Sequence, residues 1–267
     1  MQIVKLGGSL ITAKRTRKGS RQTPLKMFRA AQAESAAAEL ARAPGPLVLV
    51  HGAGSFGHVK AHKYGLHKRN RTRPPKSKAI TEVSNDVREL NLKFMRTLEE
   101  NGVHGISVPP NVTITNRKGK INSFDSKFYK KYLELDLVPV SFGDLVYDIT
   151  LGISICSGDD IMYELAKAFK PERAVFAADV DGVYDSDPRI NKNARLIARM
   201  TPERFKELTC GVKNEEPGID VTGGMYRKIE VCEAIASLGV ECIILNGLKK
   251  GRLKKALNGE KVIGTYF

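Results

Sequence analysis

Short apolar runs that each end in a glycine-rich or acidic turn constrain this chain more than any other feature. Ile3 to Leu6 runs into Gly7-Gly8-Ser9, Leu47 to Val50 into His51-Gly-Ala-Gly-Ser-Phe-Gly-His58, and Ala174 to Ala177 towards Asp179-Val-Asp-Gly-Val-Tyr184. Runs of this length without polar alternation suit strands covered on both faces, as in a parallel sheet between helices. Helix-length stretches lie between them: the Ala-rich segment Leu25 to Ala41, stopped by Pro44-Gly45-Pro46, then Thr81 to Glu100, ended by Asn101-Gly102, and Thr222 to Leu238. Gly105 to Val108, Leu137 to Val140 and Glu241 to Leu245 read as further strands, with Val262 to Tyr266 as a last edge strand. Ile114 to Ile121 reads as a polar hairpin whose tip, Arg117-Lys118-Gly119-Lys120, lies in solvent. The alternation predicts an α/β fold, a three-layer αβα sandwich around a mostly parallel sheet, with ligands at the carboxyl ends of the strands.

At 267 residues the chain has room for one such sheet in a single domain, 1–267, with two lobes. No window approaches the ~18 uninterrupted apolar residues of a membrane span, and Met1 leads into a strand-like run instead of a signal core. A cytoplasmic protein is expected. Cys156, Cys210, Cys232 and Cys242 form no C-x-x-C pair and have no His at metal spacing, so they read as small buried residues in a reducing compartment, and no metal site is expected. The net charge of +15 raises nucleic acid as a partner, but its distribution favours something smaller. No acidic residue precedes Glu34, and none lies between His51 and Thr81, a stretch that carries Lys60, Lys63, Lys68, Arg69, Arg71, Arg73, Lys76 and Lys78. Both acid-free windows flank glycine-rich turns, and few aromatics interleave them, so no nucleic acid is expected. A solvated basic surface is the plain alternative for the second window.

The turns carry the candidate chemistry. Gly7 and Gly8 let backbone amides approach a phosphate beside the charge of Lys5, although the spacing is not that of a P-loop and a tight turn alone would also explain two glycines. Three glycines in Gly52-Ala53-Gly54-Ser55-Phe56-Gly57 leave the amides of Gly52 to Ser55 to form a concave anion site, with His58 at its rim as a donor. Ser157-Gly158-Asp159-Asp160 precedes a helix, where Ser157 or Asp159 would cap it or Asp159 would pair with lysines. Asp179 to Tyr184 follows a strand as a turn. Asp220-Val-Thr-Gly223-Gly224-Met opens a helix with Lys228 one turn inside, a second phosphate seat.

These motifs together with Gly143-Asp144, in this order, resemble the amino-acid kinase superfamily over nearly the whole chain, and Phe56-Gly57-His58 resembles its archaeal-type isopentenyl phosphate kinase branch. The resemblance implies that His58 binds the acceptor phosphate, that Gly52, Ala53, Gly54, Ser55, Gly57 and Gly143 line the acceptor site, and that Lys5 and Lys228 stabilise the transferring group with Asp159 orienting both. It also implies a nucleotide site of Lys5, Gly7, Gly8, Ser9, Lys14, Asp179, Asp181, Gly182, Val183, Tyr184, Gly223, Gly224 and Lys228. About 1–156 would be the acceptor lobe and about 157–267 the nucleotide lobe. ATP and Mg²⁺, a homodimer and a place in isoprene biosynthesis by the mevalonate pathway follow from the same likeness. Ala178 stands where the family commonly has Thr, and Val59 where it often has Pro.

Phosphoryl transfer needs positioning and charge neutralisation more than covalent help. A phosphomonoester with a second pKa near ~6 is already mostly dianionic at neutral pH, so it needs no general base. Val83, Val87, Leu90 and Phe94, at helical spacing, are offered as an apolar slot for a hydrocarbon tail, with plain core packing as the alternative. The expected activity is phosphorylation of isopentenyl phosphate to the diphosphate; the alternatives are a fosfomycin or other phosphonate kinase and, more remotely, a basic nucleic-acid-binding protein.

Overall fold

The computed structural model describes residues 1–15, 25–67, 75–188, 190–209 and 223–267. The chain begins with β1 (Gln2–Leu6), the single-turn helix α1 (Gly8–Ile11), the antiparallel pair β2 (Thr12–Arg15) and β3 (Leu25–Phe28), and helix α2 (Ala30–Leu40). Next come β4 (Leu47–His51), α3 (Gly54–Lys63), α4 (Ser77–Glu100), β5 (Gly105–Ser107) and α5 (Pro110–Thr113). The middle of the chain gives β6 (Ile114–Arg117), β7 (Lys120–Phe124), α6 (Lys127–Leu133), β8 (Val138–Phe142), β9 (Asp144–Asp148) and β10 (Gly152–Cys156). It closes with α7 (Gly158–Phe169), β11 (Arg173–Ala178), α8 (Pro202–Thr209), α9 (Gly223–Ala236), β12 (Glu241–Asn246), α10 (Arg252–Leu257) and β13 (Gly264–Tyr266).

Seven strands form the central sheet in the order β13-β12-β11-β1-β4-β8-β5, all parallel except the edge strand β13. Successive side chains of a strand face opposite ways, and here they feed two cores. Ile3, Val48, Val50, Ala174 and Phe176 pack with α7 and α9, while Val4, Leu6, Leu49, Val175 and Ala177 pack with α2, α4 and α10 on the other face. The expected sandwich is what the chain builds. A second sheet, β10-β9-β6-β7, lays β9 against α4.

Three expectations are revised. The Ala-rich segment is not one helix: Leu25–Phe28 is a strand pairing with β2, and the helix spans only Ala30–Leu40. The glycine-rich turn after β4 is shorter than expected, because Gly54 already starts α3 and places His58 inside that helix. The hairpin tip does reach solvent, with Arg117, Lys118 and Lys120 exposed, while its backbone is tethered: the amide of Gly119 donates to Asp148 at 2.7 Å and that of Lys118 at 3.2 Å. Lastly, only Val83 and Val87 of the four proposed tail contacts face the acceptor side; Leu90 and Phe94 sit fully buried in the opposite core. Lys68, Arg69, Arg71 and Arg73 of the basic window, Cys210 and the turn residues Asp220 to Thr222 lie outside the described residues. Cys156, Cys232 and Cys242 are buried free thiols. No helix among the described residues is long and apolar enough to cross a membrane.

Candidate active site

Lys5 shares its strand face with Ile3, so its side chain leaves β1 towards α7 and α9. There its Nζ meets Asp159 Oδ1 at 2.7 Å, and Lys228 Nζ from α9 meets the same oxygen at 2.9 Å. Asp159 lies in the first turn of α7, which Ser157 caps by accepting from the amide of Asp160 at 3.1 Å. Both alternatives for this motif are therefore realised, by different residues. Lys228 also lies 5.5 Å from the centre of the Phe176 ring. All three charges are largely buried. Burial opposes ionisation of Asp159, but Lys5 and Lys228 outweigh it and hold the carboxyl well below the usual range. Burial, aided by Lys228 and only partly offset by Asp159, pulls Lys5 down to about 8. For Lys228 burial is outweighed by Asp159, and the pKa is raised.

The two glycine-rich turns meet backbone to backbone. A Cβ built on Gly8 would stand 2.5 Å from the Gly54 nitrogen, and one on Gly52 2.5 Å from the Gly8 nitrogen, so neither turn tolerates a side chain at the crossing. Not every amide expected to bind an anion is available. Gly7 N donates to Ala177 O at 2.8 Å, Gly52 N to Leu6 O at 2.9 Å and Ser55 N to Thr12 Oγ1 at 2.9 Å. Gly8 and Ser9 on one side, and Ala53 and Gly54 on the other, make no such bond; of these Gly8 and Ala53 line the cavity described next, whereas Ser9, Gly54 and the expected Ser55 do not. Gly143 N donates to His51 O at 3.0 Å, which draws the β8–β9 corner onto the same turn. His51 itself is fully buried, with Nε2 3.2 Å from Asn91 Oδ1 and its ring stacked on Phe142, so it belongs to the framework.

A cavity of about 140 Å³ opens between these parts. Lys5, Gly8, Gly52, Ala53, Gly57, His58, Gly143 and Asp159 line its polar end; Ala61, Val83, Val87, Leu145 and Ile155 line the rest. Leu145 and Ile155 are cross-strand partners on β9 and β10, and with the valines of α4 they make an apolar slot. Asp144 also lines the cavity, with Arg88 Nη1 2.9 Å from its Oδ2 and the Leu145 amide donating to Oδ1 at 2.7 Å. Burial raises its carboxyl to about 6 despite Arg88. The sequence places Asp144 in a motif but gives no hint of this charge.

The other expected nucleotide residues do not line the cavity, and Asp179 to Tyr184 lie past the end of β11. Asp181 Oδ1 accepts from Asn246 Nδ2 at 3.1 Å and pairs with Arg252, Val183 is buried in the core, and the Val183 amide donates to Thr265 Oγ1 at 2.8 Å beside Gly182. Asp179 is exposed, and Tyr184 bridges to Leu196. Ser9 is exposed at the start of α1. Gly223 and Gly224 open α9, with open space around Gly224. Lys14 lies in β2, opposite Lys26.

Residues 1–246 match the family described as the amino acid kinase family. The isopentenyl phosphate kinase of Methanothermobacter thermautotrophicus is 36% identical, with 99% of this chain aligned to 98% of that protein. The chain belongs to the amino acid kinase family, in its isopentenyl phosphate kinase branch. The isopentenyl phosphate kinase of Thermoplasma acidophilum is 32% identical over the full length of both chains. A solved isopentenyl phosphate kinase superposes with a TM-score of 0.81 at 31% identity, covering 100% of this chain and 99% of its own. An N-acetylglutamate synthase, at 16% identity and a TM-score of 0.71, shares the fold alone. Within this kinase branch the expected fold and the expected activity class both hold.

Proposed function

We propose that the chain transfers the γ-phosphoryl group of ATP directly onto isopentenyl phosphate, giving isopentenyl diphosphate for isoprenoid biosynthesis. One observation carries the reading: a single cavity joins a cationic, amide-lined end to an apolar slot, with His58 among its lining residues. Its volume is close to that of a cavity of about 150 Å³ known to hold benzene, a scale that suits a five-carbon chain.

In this reading the acceptor phosphate lies against the amide of Ala53 with His58 donating to it, and Gly143 borders it. Lys5 and Lys228 face the transferring group, brought together and oriented by Asp159, and they neutralise charge on its equatorial oxygens. Such fixed cations need little reorganisation during the reaction, because the shared carboxylate already places them. Asp179 to Tyr184, the Gly223-Gly224 turn, Gly7 to Ser9 and Lys14 surround the nucleotide, so that the lobes before and after about residue 157 supply acceptor and donor. Mg²⁺, expected with ATP, meets no group of three acidic, His or Cys side chains among the described residues, so its ligands would come from the nucleotide, and no step is routed through it. The family likeness also supports a cytosolic homodimer on the mevalonate route. The apolar slot walls favour a hydrocarbon tail over the small polar acceptor of a phosphonate kinase.

An ADP-release assay with isopentenyl phosphate, dimethylallyl phosphate, fosfomycin and N-acetylglutamate tests this. Turnover is expected on the two prenyl phosphates, and a preference for fosfomycin or N-acetylglutamate would refute it.

A further inference from the structure

Thr12, the first residue of β2, sits where the two turns cross. Its Oγ1 donates to Gly8 O at 2.7 Å and accepts from the amide of Ser55 at 2.9 Å, and the residue is 4% exposed. Gly8 belongs to the turn after β1. Ser55 is the second residue of α3, one helical turn before His58. One hydroxyl thus ties the turn assigned to the donor phosphates to the helix assigned to the acceptor. The fit around it is tight: Gly54 has φ +50°, and a Cβ there would lie 2.1 Å from Thr12 Oγ1. The chain keeps glycine at 54 because both the backbone conformation and the Thr12 hydroxyl exclude a side chain. Ser55 extends the tie, since its Oγ accepts from Met27 N of β3 at 3.4 Å.

We propose that Thr12 is a positioning residue for the transfer reaction: its hydroxyl fixes the separation and angle between the donor turn and the acceptor turn without touching either phosphate. The inference rests on the donor and acceptor assignment of those turns. In-line transfer requires the attacking oxygen at near-contact distance and correct angle, and a displacement of about 1 Å costs about a hundredfold in rate. Each turn keeps its own amides when the hydroxyl is lost. Binding of either substrate alone should therefore survive while their mutual placement does not.

The test compares Thr12→Val, which keeps the side-chain shape but cannot bond, with Thr12→Ser, which keeps the hydroxyl. Steady-state kinetics are measured with ATP and isopentenyl phosphate, and the affinity for each substrate alone by calorimetry. Thr12→Val is expected to lower kcat by about ten- to a hundredfold while each separate Kd moves less than about threefold; Thr12→Ser should return kcat to within about threefold of the wild type. If Thr12→Val fails to fold, Thr12→Ala is read against the same expectations. Near-wild-type kcat in the non-bonding variant, separate affinities falling as far as kcat, or a serine variant no better than valine would each overturn the proposal. A wild-type chain inactive on isopentenyl phosphate would overturn the functional reading, and this inference with it.

Discussion

Asp159 sets the character of the site, because one buried carboxylate oxygen serves two lysines. A carboxylate between two cations stays ionised, and its contribution to stability is present at neutral pH and lost as pH falls below the ordinary carboxylate range. Lys5 behaves oppositely for activity. Its pKa near 8 means that the free enzyme loses this cation as pH rises, so kcat/KM for ATP should fall about tenfold per pH unit above about 8. Bound phosphates favour the charged form, so the same limb in kcat should lie higher. A kcat/KM profile flat to pH 10 would contradict a titrating Lys5. The sequence makes Lys5, Asp159 and His58 legible because each stands at a strand end or helix start in a strong motif. Thr12 is not legible, since a threonine opening a short strand carries no signal until distant turns are brought against it, and for Asp144 the motif gives the position but not the burial that raises its carboxyl.

Helix α4 and the β9–β10 pair form the apolar walls, and their spacing decides what fits between them. Replacing Val87 with Phe should fill the slot and raise the KM for isopentenyl phosphate by about tenfold or more, with the KM for ATP within about twofold. Equal effects on both would mean that Val87 only packs the core. The periodicity of α4 correctly marked an apolar face, but it could not say that Leu90 and Phe94 turn to the opposite core, because a long helix curls its stripe past two neighbours. The β2–β3 pair was hidden for a related reason: Leu25–Phe28 adjoins an alanine run and reads as its first turn. In the folded chain Lys26 of that strand reaches Asp86 at 2.8 Å, while Lys60 of α3 takes the other oxygen of Asp86 at 2.9 Å. Ion pairs thus complement Thr12 in holding the pair of strands to the acceptor helix.

At the scale of the whole molecule the parallel sheet was legible because buried strands in such a sheet are short, apolar and closed by turns, whereas the second sheet, with mixed polar strands, gave only its hairpin. Global stability carries a mark of the site as well. The raised pKa of Asp144 means that the folded chain holds a proton more tightly than the unfolded one, so this residue costs stability as pH climbs from about 4 through about 6. Asp144→Asn should therefore gain on the wild type between pH 4 and pH 7 by about 2–3 kcal/mol in denaturant unfolding. A difference constant across that range would show that the carboxyl titrates normally. The transfer reaction itself is read most directly by ³¹P NMR of the chain incubated with ATP, Mg²⁺ and isopentenyl phosphate. The monophosphate resonance should give way to the coupled pair of a diphosphate, with His58→Ala slowing this by about a hundredfold while the ATP affinity stays within about twofold. An unchanged monophosphate, or a His58→Ala chain as fast as the wild type, would contradict it.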